Sequence, residues 1–128
     1  MNKEEFSKVL NREKYSYEIE GDKIVVTIRG DVDLRSLTSL PPGVVFKNGG
    51  DVDLDDLTSL PPGVEFKNRG DVDLDSLKTI PPGVEFNNKG SVNLGALIGG
   101  WFDYWSGNIK GIDSKMLLNG MIKKSLFL

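Results

Sequence analysis

Residues 50–69 read GDVDLDDLTSLPPGVEFKNR, and near copies flank them: GDVDLRSLTSLPPGVVFKNG at 30–49 and GDVDLDSLKTIPPGVEFNNK at 70–89. The period is twenty residues with no insertion, and a fourth copy begins as GSVNLGAL at 90–97. Aligned on the glycine, apolar residues keep fixed columns: Val32, Val52, Val72 and Val92; Leu34, Leu54, Leu74 and Leu94; Leu37, Leu57, Leu77 and Leu97; Leu40, Leu60 and Ile80. Val44, Val64 and Val84, then Phe46, Phe66 and Phe86, complete the set. One copy cannot bury its own apolar side, but stacked copies place like side chains above one another in a continuous core.

Within each copy, VDL alternates inward, outward, inward, as a short strand does, and GVEF alternates likewise. That alternation makes Glu65 and Glu85 an exposed column. Pro-Pro-Gly (Pro41, Pro42 and Gly43 in the first copy) forms one corner, because proline fixes φ and lacks a donor while glycine accepts positive φ. The asparagine pairs at 48–49, 68–69 and 88–89 form the other, where Asn tolerates left-handed geometry. The expectation is a single domain, residues 1–128, built as a right-handed β-solenoid of about four coils over residues 30–100.

Terminal coils need covers, or raw core and strand edges would meet water. Residues 1–29 suit one. Asn2 with Glu5 three residues on is a capping-box signature, and Phe6, Val9 and Leu10 share one helix face. YSYEIEGDKIVVTIR then alternates on both sides of Gly21-Asp22, which predicts a hairpin with a type II′ turn. Residues 101–128 suit the other: Trp101 and Phe102 as a lid beside Leu97 and Phe86, then a helix capped by Asp113 or Ser114 and carrying Leu117, Leu118, Met121, Ile122 and Phe127.

The segment LTSLPPGV, at 37–44 and 57–64, resembles the LTSLP segment of the short, twenty-residue leucine-rich repeats of bacterial and phage-encoded proteins. The resemblance covers about residues 30–100. It departs from the general leucine-rich pattern at Leu57, which stands where an asparagine ladder usually begins; Asn48, Asn68 and Asn88 are placed to supply a ladder at the opposite corner. The tail GNIKGIDSKMLLNGMIKK, residues 107–124, is similar to endings of phage short-repeat proteins. The resemblance implies a leucine-rich-repeat-like, protein-binding scaffold.

Composition narrows function. The chain has no cysteine and no histidine, so disulfides, thiolate metal sites and the usual neutral-pH general base are missing together. Hydrophobic residues make up 38% and charged residues 27%, an ordinary globular balance. No apolar run approaches the ~18 residues of a membrane span, and the mixed-charge N-terminus lacks the apolar core of a signal peptide. The expectation is a non-enzymatic protein without cofactor or bound metal, in the cytoplasm of a bacterial host cell. The net charge of −3 conceals a segregation, since residues 30–89 carry eleven acidic and six basic groups.

The aspartates are therefore the first candidate site. Asp31, Asp51 and Asp71 form one column, Asp33, Asp53 and Asp73 a second, and Asp55 and Asp75 extend the strip. On rungs ~4.8 Å apart, neighbouring charges repel by about 0.9 kcal/mol in water and about 3.5 at an effective dielectric of about 20. Two explanations stay open: a solvated ladder copied along with the repeat, its first column bonding corner amides, or a surface that meets a partner protein's basic face. The basic grooves of nucleic-acid-handling host proteins are one class of target, for which a phage-encoded, anti-CRISPR-like inhibitor would stand in for phosphate. Direct nucleic-acid binding has the wrong sign. DVDLDD begins like a calcium loop but fails at its sixth and twelfth positions, Asp56 and Pro62. The aspartate pairs also lack the apolar pocket of a glycosidase acid. The second candidate is aromatic: Tyr104 and Trp105 are the members of the Trp101–Trp105 cluster available to anchor a partner. A structural or self-assembling module, a homodimer included, is the competing class.

Overall fold

The computed structural model describes residues 1–96. Helix α1 (Lys3–Arg12) is followed by strands β1 (Tyr17–Glu20), β2 (Lys23–Val26), β3 (Val32–Asp33), β4 (Val44–Phe46), β5 (Val52–Asp53), β6 (Glu65–Phe66), β7 (Val72–Asp73), β8 (Glu85–Phe86) and β9 (Val92–Asn93). The strands form two sheets, ordered β1-β2-β4-β6-β8 and β3-β5-β7-β9. Apart from the antiparallel β1–β2 pair, every pairing is parallel and joins residues twenty apart, Val32 to Val52 to Val72 to Val92 in one sheet and Phe46 to Phe66 to Phe86 in the other. This is a β-solenoid of about four coils.

The repeated columns become the core. Val52, Leu54, Leu57, Val64 and Phe66 are buried in the second coil, as are Val72, Leu74, Leu77, Val84 and Phe86 in the third. The three phenylalanines stack face to face, with centroids 5.3 and 5.2 Å apart and planes within 6°. Gly43, Gly63 and Gly83 take φ of 82°, 83° and 80°, the positive values that the Pro-Pro-Gly corner requires.

The opposite corner is built differently from expectation. Asn48, Asn68 and Asn88 do not adopt positive φ; their role lies in the side chain. Each is buried, and the Asn68 amide nitrogen donates to the carbonyls of Gly50 (3.0 Å), Gly70 (3.2 Å) and Asp71 (3.1 Å). Asn48 and Asn88 repeat the pattern, so one side chain per coil adds a second donor to corner carbonyls, most of which also accept a backbone amide from the neighbouring coil.

The N-terminal cap forms as the sequence indicates. Asn2 and Glu5 make the reciprocal capping box, and Phe6 and Leu10 are fully buried in the common core. Gly21 has φ of 64° while Asp22 does not share the positive value, the pattern of a II′ turn. Strand β2 is more than cap: Ile24, Val25 and Val26 pair in register with Val44, Val45 and Phe46, making it the first rung of its sheet. The other sheet has no strand before β3, and there the Tyr15 hydroxyl accepts the Asp33 amide hydrogen at 2.9 Å. Among the described residues, no helix is long and apolar enough to cross a membrane. The expected C-terminal lid and helix, with Tyr104 and Trp105, lie outside the described residues.

Candidate functional site

The two aspartate columns have different neighbours. In the first, each carboxylate reaches the next coil: Asp31 Oδ1 accepts from the Asp51 amide at 2.8 Å, Asp51 Oδ1 from Asp71 at 2.7 Å, and Asp71 Oδ1 from Ser91 at 2.9 Å. A charged acceptor on a backbone N–H is among the stronger hydrogen bonds. One oxygen of each aspartate in this column is thus committed to stacking the coils, although the residues themselves are exposed.

The second column lies on the outer face of the β3-β5-β7-β9 sheet, with Asp33 beside Asp53, Asp53 beside Asp73 and Asp73 beside Asn93. Asp33, Asp53 and Asn93 each accept the amide hydrogen two residues on, from Arg35, Asp55 and Gly95, at 3.1–3.2 Å. Arg35 also neutralises the first coil, with its Nε 3.0 Å from Asp33 and 3.7 Å from Asp53. A hydrogen bond from that guanidinium holds the Asp33 carboxyl below the usual carboxylate range.

The position of Arg35 is taken by Asp55 in the second coil and by Asp75 in the third. Carboxylate oxygens of Asp53, Asp55 and Asp73 consequently lie within 4.8 Å of one another. Burial, followed by the nearby Asp55 charge, pushes Asp53 upward. Asp73 is pushed up to about 8, first by burial and then by the adjacent carboxyls of Asp55 and Asp75. Oδ1 of Asp55 and Oδ1 of Asp73 are buried without a hydrogen-bond partner among the described residues. This all-carboxylate set has the chemistry to receive a cation, whether a guanidinium, an ammonium or a hard metal ion.

Glu65 corrects the sequence expectation of an exposed column. It is only 8% exposed and accepts from Lys23 Nζ at 3.1 Å and Lys67 Nζ at 3.2 Å. Burial alone would raise its pKa, but the two ammonium groups outweigh burial and hold the carboxyl below its ordinary value. Glu85, one rung on, is half-buried. The outward face is covered here where the Lys23 and Lys67 side chains converge on the carboxylate.

Sequence reasoning also passed over a basic corner. Thr27, Ile28, Arg29, Lys47, Gly49 and Arg69 line a solvent-facing pocket of about 410 Å³ beside the asparagine ladder. Its signal was present in one column of the repeat, Arg29, Gly49, Arg69 and Lys89, but the acidic total of the repeats obscured it.

Compared with protein-family models, with curated proteins and with solved structures, the chain matches none.

Proposed function

We propose that this chain is a non-catalytic protein-binding module whose outward aspartates, centred on Asp53, Asp55 and Asp73, receive cationic side chains of a partner protein. The single observation carrying this reading is the exchange of Arg35 for Asp55 and Asp75 in the next two coils. The first coil shows that this position accommodates a neutralising guanidinium. The second coil instead brings a third carboxylate within 4.8 Å of the other two. A partner's arginine or lysine would supply the missing charge, and complementary charge accelerates encounter as well as selecting the partner. Asp31, Asp51, Asp71 and Asp75 extend the same negative field. In its sharper form the proposal is a phage-encoded inhibitor of leucine-rich-repeat-like ancestry, which occupies the basic groove of a host nucleic-acid-handling protein and excludes its ligand. Tyr104 and Trp105 belong to this reading as further candidate anchors.

The test is capture from source-cell lysate by wild type and by the D33N/D53N/D73N variant, at low and at high salt. The expected result is a basic protein retained by wild type at low salt and lost on substitution or salt addition. Identical partner lists for the two proteins would overturn the proposal.

Self-association is favoured by one observation of its own. Strand β1 leaves Ile19 61% exposed beside a strand edge that is unpaired among the described residues. Glu18 and Glu20 on the same strand oppose pairing with a second copy. Light scattering decides: a concentration-dependent dimer that is insensitive to the aspartates and lost in I19K would establish the alternative.

A further inference from the structure

The pocket at the basic corner has a structural origin in the repeat itself. In the column Arg29, Gly49, Arg69, Lys89, every coil but one carries a long cation. The Gly49 amide donates to the Ile28 carbonyl at 2.9 Å, and a Cβ at Gly49 would run into the backbone carbonyl of Arg29. The second position of the column is therefore held to glycine, and the missing side chain leaves a gap with an arginine on either side. The two arginines stand two rungs apart, ~10 Å along the stack.

The lining combines three cationic residues, Arg29, Lys47 and Arg69, with Thr27, and includes no acidic residue. None of those cations makes an ion pair among the described residues, whereas Lys23, Arg35 and Lys67 all do. Lys47 shows why. Its counterpart Lys67 is neutralised by Glu65 two residues earlier, but the residue two before Lys47 is Val45. Guanidinium groups match phosphoryl oxygens through paired N–H donors, and a lysine adds a point charge. Ile28 is the one large apolar side chain in the lining, and no aromatic ring is present to stack on a base.

We infer that this corner is a binding site for a compact phosphorylated anion carrying two phosphoryl groups, one engaged by Arg29 and the other by Arg69, with Lys47 between them. A volume of about 410 Å³ admits a ligand of that size. None of the aspartates of the proposed partner-binding face lines the site, and the inference does not depend on the function proposed for that face.

Calorimetric titration of the full chain with inorganic pyrophosphate and with inorganic phosphate, in near-physiological salt, tests the inference. Pyrophosphate is expected to bind more tightly than phosphate, with R29Q and R69Q each weakening it roughly tenfold or more, as loss of a charge-assisted contact does. The R29Q/R69Q protein is expected to show no pyrophosphate binding while keeping the wild-type melting temperature, and K78Q, outside the pocket, is expected to bind as wild type does. Equal affinity for the two anions would overturn the two-ended site. Failure to bind pyrophosphate, or binding unchanged in R29Q/R69Q, would overturn the site altogether. A single-stranded oligonucleotide binding far more tightly than pyrophosphate would overturn the compact ligand in favour of a polymer.

Discussion

At the residue scale, neighbouring copies of one aspartate column differ in what surrounds them. Asp33 faces Arg35 and is held below the usual carboxylate range, whereas Asp73 faces Asp55 and Asp75 and is pushed up to about 8. Titration followed by carboxyl carbon shifts should place Asp73 several units above Asp33; coincident titrations would contradict this assignment. The linkage sign follows from Asp73 holding its proton in the fold while releasing it near pH 4 when unfolded. Between about pH 4 and about pH 8 the folded state binds more protons, so this group's contribution to stability declines as pH rises and levels off above about 8. Solvent around a partly exposed carboxyl reduces the effect to about 1–2 kcal/mol. Urea unfolding of wild type and D73N across that range should show the slope diminishing in the variant.

At the element scale, each coil depends on a few internal bonds that recur identically. Asn68 is fully buried and its amide ties together the carbonyls of Gly50, Gly70 and Asp71, so N68A removes these bonds between coils and leaves a cavity in their place. The expected loss is about 2–4 kcal/mol by urea unfolding. Phe66 is stacked between two other phenylalanines, and F66A should cost about 3–5 kcal/mol. Much of this was legible in the sequence, because the apolar columns, the Pro-Pro-Gly corner and the capping box are local or strictly periodic signals. Three features were not. Strand β2 serves as a rung although KIVV carries none of the glycine and proline punctuation of the repeats. Glu65 is buried by lysines from its own coil and from the hairpin, and alternation alone does not report such coverage. Tolerance of left-handed geometry points the asparagines to the right corner, while the corner uses their buried side-chain amides instead.

At the scale of the whole molecule, the solenoid sorts charge that the linear sequence mixes. Each repeat contributes aspartates to one sheet, while Arg29, Arg69 and Lys89 stack in the column that follows the asparagine ladder, so stacking yields an acidic strip and a basic corner within one small protein. Opposite fields on separate surfaces are suited to different ligands, and association at either should weaken as salt rises. The acidic strip could be located from its columns alone. Its uneven neutralisation could not, because the consequence of replacing Arg35 by Asp55 appears only once the coils are stacked in register.

The central claim is that Asp53 and Asp73 are retained at a cost to the fold, and the most direct measurement is the melting temperature of D53N/D73N against wild type at pH 8 and low salt. Asparagine already occupies this column at Asn93, where its Oδ1 accepts the Gly95 amide hydrogen, so the substitution suits the local geometry. The double variant is expected to melt higher by about 5 °C, consistent with relief of about 1–2 kcal/mol of repulsion, and the gain to shrink as salt is added. An unchanged or lower melting temperature would contradict it, and would return these aspartates to service of the fold alone.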